Sequence, residues 1–107
     1  MPTESPTRRV EEAAAAVRHH YDIGNDFYRL WLDGSLTYSC AMWAGSADTL
    51  AQAQDRKLRY HLDAVQAQSA GSVLDIGCGW GSILERLSAV PVRRSVGLTL
   101  SEEQAAY

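Results

Sequence analysis

A glycine-rich turn in the second half of the chain has the residue types and spacing of a ligand site. Its sequence is Asp75-Ile76-Gly77-Cys78-Gly79-Trp80-Gly81, after a short apolar run and before a helical pattern. The third glycine comes one position earlier than in the dinucleotide fingerprint G-x-G-x-x-G. Glycines let the backbone of such a turn approach a ligand closely. The pattern therefore predicts a ligand site where a strand passes into a helix.

The acidic residue before this turn indicates the charge of the ligand. The carboxylate of Asp75 would repel a pyrophosphate placed at the start of the following helix. It would attract a cation, and S-adenosylmethionine carries a sulfonium and an ammonium group but no phosphate. The sequence therefore favours S-adenosylmethionine over NAD. The alternatives are a dinucleotide site and a glycine turn that only allows helix and strand to pack.

Length, composition and charge limit what the rest of the chain can do. The chain has 107 residues, of which 46% are hydrophobic and 21% charged, as in a single globular domain. A net charge of -3 provides no basic field for a nucleic acid or an anionic membrane. No apolar stretch reaches the about 20 residues of a membrane span, and the first residues lack the apolar core of a secretory signal. We expect a cytoplasmic protein with no nucleic-acid partner and no transmembrane segment.

Apolar residues recur at helical spacing in the first part of the chain. Residues 1–9 are polar and contain prolines, so they are predicted to be a flexible tail. Residues 10–68 are expected to form an N-terminal helical segment with an active-site loop. The predicted helices span Val10–Tyr21, Asp26–Leu32 and residues 50 to about 68.

Capping residues indicate where two of these helices start. Asn25 is the expected N-cap of the second helix, and Thr49 with Gln52 matches the capping box of the third. Residues 35–48 have no helical period and are predicted to be the loop that borders the site.

Residues 69–107 change to the order strand, turn, helix and strand. Ser72–Ile76 and Val92–Leu100 are the predicted strands, with an apolar helical stripe between them. Such a unit normally places its strands side by side and parallel. The predicted fold class is α/β, in which N-terminal helices precede the opening strand, helix and strand of a Rossmann-like sheet.

The end of the chain indicates an incomplete sheet. Ser101 and Gln104 match a capping box, yet the chain stops at Tyr107, less than two turns into the helix that would follow. Two parallel strands cannot form the doubly covered sheet of such a fold. We therefore expect an N-terminal fragment that associates or remains poorly packed, and that is inactive by itself.

Four separated segments resemble the cyclopropane-fatty-acyl-phospholipid synthase family. They are His20–Tyr28, Thr37–Ala41, Gly77–Gly81 and Val96–Ser101 with Gln104. The family includes mycolic acid cyclopropane synthases and related enzymes that methylate other substrates. The resemblance implies a class I methyltransferase fold and S-adenosylmethionine as the methyl donor. It also implies that an unsaturated acyl lipid accepts the methyl or methylene group.

The resemblance implies positions for the donor along the chain. Tyr38 and Ser39 would contact its methionine carboxylate, and the backbone of Gly77 and Gly79 would pass close to its methionine and ribose. With Asp75, the expected donor-binding residues are completed by the adenosine contacts Thr99, Leu100 and Gln104.

One departure from the broader methyltransferase pattern concerns the second strand. It usually ends in an acidic residue that binds the ribose hydroxyls, whereas here it ends Leu98-Thr99-Leu100. The family suggests that Gln104 supplies this hydrogen bonding. The alternative role of Gln104 is local, with its side chain returning to its own N-cap.

The resemblance places three further residues at the reaction centre. His20 and Tyr21 would lie at the mouth of the site, where aromatic faces could stabilise a cation on the acceptor. The backbone of Cys40 would help to hold a bicarbonate that serves as the base. The alternatives are surface or packing roles for His20 and Tyr21 and an inert thiol at Cys40. Cys78 is interpreted as packing, and the spacing of the cysteines predicts no metal site.

Two other functions are compatible with the sequence. The first is a C- or N-methyltransferase of a small natural product, which needs no base to form a cyclopropane ring. The second is a non-catalytic fragment that binds a partner through its open strand edge.

Overall fold

In the part of the chain that the structure describes, three helices precede a small sheet of two parallel strands. The computed structural model describes residues 6–21 and 23–107, apart from the side chain of Tyr21. Residues 1–5 of the expected tail lie outside this part. The elements are α1 (Pro6–Tyr21), α2 (Asn25–Arg29), α3 (Leu50–Ala64), a 3₁₀ turn (Ala67–Ser69), β1 (Ser72–Ile76), α4 (Ser82–Leu87), β2 (Arg94–Leu98) and α5 (Glu102–Ala105).

The two strands form the parallel pair that the sequence predicts. Asp75 lies opposite Gly97 in the register, and Ile76 lies opposite Leu98. The bounds of β1 match the prediction, whereas β2 is shorter than the predicted Val92–Leu100. It ends at Leu98 because the Leu98 carbonyl accepts hydrogen bonds from the amides of Gly77 and Cys78, at 2.8 and 3.0 Å. The amides of the glycine turn thus occupy the last carbonyl of β2, and the chain leaves the sheet after Leu98.

The first helix begins earlier than predicted. Residues 6–9, which the sequence assigned to the tail, belong to α1. Proline is tolerated in the first turn of a helix because the amide that it lacks would have no intrahelical partner. Arg8 and Glu12 also form an i,i+4 ion pair at 2.9 Å.

The second helix does not have the cap that the sequence predicts. Gly24 is its N-cap and provides no side-chain hydrogen bond, while Asn25 is the first helical residue. The side chain of Asn25 instead accepts a hydrogen bond from Trp80. The helix ends at Arg29 rather than Leu32, and the residues after it form turns.

The third helix starts as predicted and ends early. Thr49 and Gln52 form the reciprocal capping box. Gln66 then adopts a left-handed conformation with φ of 53°, which ends the helical path before Gln68. The helix is tied to α4 by an ion pair between Asp55 and Arg86 at 2.6 Å.

A small aromatic core joins the N-terminal segment to the sheet. Its buried members are Tyr28, Leu36 and Trp80, with Leu32 packed against them. The rings of Tyr28 and Trp80 are 4.8 Å apart between centroids. Within the described residues, no helix combines the length and apolarity that a bilayer span requires.

Gly97 is required by the packing of α4 and the turn on β2. A methyl group at this position would lie 2.5 Å from Leu84 Cδ1 and 2.8 Å from Cys78 Sγ. We expect Gly97→Ala to lower the free energy of unfolding by about 1–3 kcal/mol, because the neighbours must move. Chemical denaturation measures the change. Gly45→Ala is the control, since nothing lies within 4 Å of its Cβ position, and equal losses in the two variants would contradict the expectation.

Candidate ligand-binding site

Two adjoining depressions flank the glycine turn at the carboxyl ends of the strands. The first is a cavity of about 200 Å³. Its walls come from the loop, α3, β1, the turn, α4 and α5. The lining residues are Leu36, Thr37, Tyr38, Ser39, Lys57, Leu58, His61, Asp75, Gly77, Cys78, Gly79, Trp80, Ser82, Ile83 and Gln104. The second has a volume of about 510 Å³ and a mainly apolar wall of Val17, Ile76, Gly77, Gly79, Leu98, Thr99, Leu100 and Gln104. Every residue predicted to bind the donor lines one or both of them.

The turn itself depends on glycine for its backbone conformation. Gly77 and Gly79 have φ angles of 77° and 58°, in the region that side chains disfavour. No atom lies within 4 Å of a Cβ built at either position. Because both glycines line both depressions, this open space is where a ligand could approach the backbone.

Trp80 fixes the turn to the N-terminal segment. Its indole nitrogen donates a hydrogen bond of 2.7 Å to Asn25 Oδ1. Its ring is 8% exposed and packs against Tyr28. Neither contact is local, so both hold the turn against the wall that contains Tyr38.

The loop wall of the cavity is held by polar residues of α3. Gln54 Nε2 donates to the carbonyls of Thr37 and Ser39, at 3.0 and 2.8 Å. Lys57 Nζ donates to Ser39 Oγ at 2.5 Å, and the backbone amide of Thr37 donates to Asp33 at 3.1 Å. These bonds fix the backbone of the segment that carries Tyr38 and Ser39.

Gln54 and Lys57 were not predicted as site residues. Both are buried on the same face of α3 as Ala53 and Leu58. The sequence feature that could have identified them is that two polar residues occupy positions where the helical period predicts apolar ones.

Charges of opposite sign lie on the cavity wall. Burial lowers the pKa of the Lys57 ammonium, while electrostatic interaction with Cys40 and Asp33 acts in the other direction. Burial raises the pKa of Asp75, and His61 opposes that shift. Within residues 6–21 and 23–107, no cluster of three or more His, Cys, Asp or Glu side chains could hold a metal ion.

The Cys78 thiol is poorly suited to ionise. Burial and the charge of Asp75 both raise its pKa. A protonated, partly buried thiol next to Gly97 fits the predicted packing role.

The residues predicted at the reaction centre are not gathered in the cavity. His20 does not line the cavity itself, but it stacks on Tyr38 of the cavity wall with ring centroids 5.9 Å apart. Cys40 is exposed and lines a neighbouring groove, which shares Thr37, Tyr38 and Ser39 with the cavity. Tyr21 ends α1, and its side chain lies outside the described part of the structure.

Gln104 does not complete the capping box predicted with Ser101. Ser101 Oγ accepts from the Gln104 amide at 3.2 Å, which is one half of the box. Gln104 Oε1, however, accepts a hydrogen bond of 2.7 Å from the hydroxyl of Thr99. The Ser101 amide donates to the same Thr99 oxygen at 3.1 Å. The side chain of Gln104 is thereby held at the border between the two depressions.

The strand, glycine turn, helix and strand around the site have the arrangement of the opening unit of a Rossmann-like sheet. The family model described as mycolic acid cyclopropane synthetase matches residues 8–107. The chain therefore belongs to the mycolic acid cyclopropane synthetase family, as the sequence motifs predicted.

Individual relatives and structures agree with this assignment. Cyclopropane mycolic acid synthase 2 of Mycobacterium tuberculosis is 47% identical over 92 residues, covering 86% of this chain and 30% of the relative. A structure of the mycolic acid cyclopropane synthase CmaA1 complexed with SAH and CTAB has a TM-score of 0.77 and 41% identity, covering 87% of this chain and 33% of that one. A coclaurine N-methyltransferase bound to N-methylheliamine and SAH has a TM-score of 0.72 and 25% identity, covering 97% and 33%. The chain spans about a third of each.

Removing one hydrogen bond tests the anchor of the turn. We expect Trp80→Phe to lower the free energy of unfolding by about 1–3 kcal/mol, because Asn25 Oδ1 loses its donor while an aromatic ring is kept. Trp43→Phe is the matched control, since Trp43 is 56% exposed. Denaturant titration followed by circular dichroism measures both, and a Trp80→Phe protein as stable as the control would show that the bond contributes nothing.

Proposed function

We propose that this chain provides the donor-binding part of an S-adenosylmethionine-dependent methyltransferase that acts on an unsaturated acyl chain. The observation that carries the proposal is that the residues predicted to bind the donor surround the glycine turn. Tyr38, Ser39 and Asp75 line the cavity on one side, while Thr99 and Leu100 line the apolar depression on the other.

The shape and charge of the two depressions suit the two ends of this donor. The carboxylate of Asp75 can attract the ammonium or sulfonium group in the cavity. The apolar wall next to it suits an adenine ring, and Thr99 with Gln104 offers polar atoms for the adenosine. The site can therefore hold the nucleoside even though β2 does not end in an acidic residue.

The comparisons support the same donor and acceptor. Two of the matched structures contain bound SAH, the product left when S-adenosylmethionine gives up its methyl group. The matched relatives include a probable fatty acid methyltransferase of Pseudomonas putida, 36% identical over 104 residues. The mycolic acid cyclopropane synthetase family and this probable fatty acid methyltransferase favour an acyl chain as the acceptor.

The chain would contribute to the reaction by positioning the methyl donor. Bound S-adenosylmethionine supplies an electrophilic methyl group. Gly77 and Gly79 admit the donor against the backbone, and Tyr38 and Asp75 hold its amino-acid end. Holding the donor in line with the attacking carbon would provide much of the rate acceleration.

The aromatic pair beside the cavity fits the second part of the reaction. The ring of His20, which stacks on Tyr38, could stabilise the cation formed when an alkene takes up a methyl group, as predicted for His20 together with Tyr21. Formation of a ring then requires loss of a proton. Bicarbonate near the Cys40 backbone stays our prediction for that base.

The second candidate is an N-methyltransferase of a small molecule. The structural match to coclaurine N-methyltransferase over 97% of this chain favours it. An amine acceptor needs no further base after methyl transfer, so it places no demand on Cys40.

A cytoplasmic location and self-association stay predictions. Self-association is supported by three apolar side chains on the small sheet, Leu74, Ile76 and Leu98, each at least 50% exposed. Parallel strands are usually covered on both faces. The third alternative is a non-catalytic role, in which the open strand edge of the sheet binds a partner.

Methyl transfer distinguishes the acceptors. Because this chain is expected to be inactive by itself, a longer protein that contains it is incubated with S-adenosylmethionine labelled in its methyl group, together with an unsaturated acyl phospholipid or coclaurine. We expect label in the lipid and none in the amine. The reverse result would support the N-methyltransferase, and donor binding without any transfer would support the non-catalytic alternative.

Neutralising Asp75 tests the donor site. We expect Asp75→Asn to weaken the binding of S-adenosylmethionine roughly 10-fold, or about 1.4 kcal/mol, because the amide has nearly the same size but no charge. Isothermal titration calorimetry measures the dissociation constant. Asp63→Asn is the control, since Asp63 is exposed on α3 and lines a separate surface. Equal affinity of the Asp75→Asn and unchanged proteins would refute the charge argument.

The affinity should also depend on pH in a defined direction. Burial raises the pKa of Asp75, so its carboxyl becomes neutral at a higher pH than an exposed aspartate does. Donor binding should therefore be complete above that pKa and weaken as the pH falls through it. His61 also lines the cavity and is kept in Asp75→Asn. The difference between the two pH profiles isolates Asp75.

A further inference from the structure

Lys57 is a buried cation on the wall of the cavity. It is the single lysine of a chain whose other basic residues are arginines. Its exposed fraction is 7%, and its ammonium donates to the neutral hydroxyl of Ser39. Among the described residues, no carboxylate forms an ion pair with it.

Burial of a charged ammonium group destabilises the protein unless an anion pairs with it. Moving an ammonium group out of water is unfavourable when no carboxylate forms an ion pair with it. An ammonium has three N–H donors, and Ser39 Oγ accepts one of them. The remaining donors, on a residue that lines the cavity, can serve an anion inside it.

The opposite charge lies on the same cavity. Asp75 contributes a carboxylate to the wall to which Lys57 contributes its ammonium. A ligand that carries both a carboxylate and an ammonium group, as an amino acid does, offers a partner to each of these two charges. A nucleoside without an amino-acid part would use neither.

We propose that Lys57 is a specificity-determining residue, whose ammonium pairs with the α-carboxylate of the amino-acid part of the methyl donor. The proposal rests on the function proposed above, since it assumes that S-adenosylmethionine is the donor. Gln54 contributes indirectly as a positioning residue. By holding the Ser39 carbonyl at 2.8 Å, it keeps Ser39 next to Lys57.

A purely structural role for Lys57 makes a different prediction. If the lysine only held Ser39 in place, its removal would disturb the cavity for every ligand alike. If it pairs with the carboxylate, its removal affects only ligands that carry this group. Decarboxylated S-adenosylmethionine keeps the sulfonium and the ammonium and lacks the carboxylate, so it separates the two roles.

The experiment measures the binding of both ligands by calorimetry to the purified protein and to Lys57→Met. We expect the unchanged protein to prefer S-adenosylmethionine over its decarboxylated form about 10- to 100-fold. In Lys57→Met this preference should fall to about 1, through loss of affinity for S-adenosylmethionine alone. Lys57→Arg keeps the charge and should keep most of the preference.

Each other outcome has a defined meaning. A Lys57→Met protein that retains the preference, or that loses affinity for both ligands equally, overturns the proposal. If the unchanged protein binds neither ligand, the proposed function fails, and the role of Lys57 fails with it. Lys57→Gln is a second neutral variant should Lys57→Met not fold, and thermal unfolding checks that each variant is folded.

Discussion

The hydrogen bond between Trp80 and Asn25 is the interaction on which the arrangement of the site depends. Two parallel strands and short helices provide few buried contacts of their own. Trp80 lies in the glycine turn, and its contacts with Asn25 and Tyr28 attach that turn to the N-terminal segment. Without this attachment the cavity would have the glycine wall but not the wall that carries Tyr38. The indole combines a large apolar area with one donor, which suits a contact that must both pack and orient.

The polar face of α3 provides the second constraint. Gln54 and Lys57 occupy buried positions that apolar side chains would fill in an ordinary amphipathic helix. Gln54 Nε2 serves two loop carbonyls, while Gln54 Oε1 has no hydrogen-bond partner among the described residues. Leaving a buried acceptor without a donor costs about 1–3 kcal/mol. The helix thus gives up stability in order to hold the loop backbone at the cavity, a trade expected at a binding site.

Two residues near the site show how local and distant partners compete. Asn25 has the side chain of a helix cap, yet it accepts from Trp80, and Gln104 turns to Thr99 rather than to its own N-cap. A capping bond contributes about 1 kcal/mol, which is also typical of a single hydrogen bond elsewhere in a protein. The more distant partner can therefore win. In both cases the residue ends up supporting the turn or the depression beside it.

The features that the sequence determined are those that depend on near neighbours. The bounds of β1, the capping box of Thr49 and Gln52 and the positive φ angles of the glycine turn follow from patterns a few residues long. The motifs also identified the family, because its separated segments each retain their own local spacing. The partners of Trp80, Gln54 and Lys57 lie 55, 17 and 18 residues away in the chain. Only the tertiary structure decided them, because hydrogen bonds of similar energy to local and distant partners leave no periodic signal in the sequence.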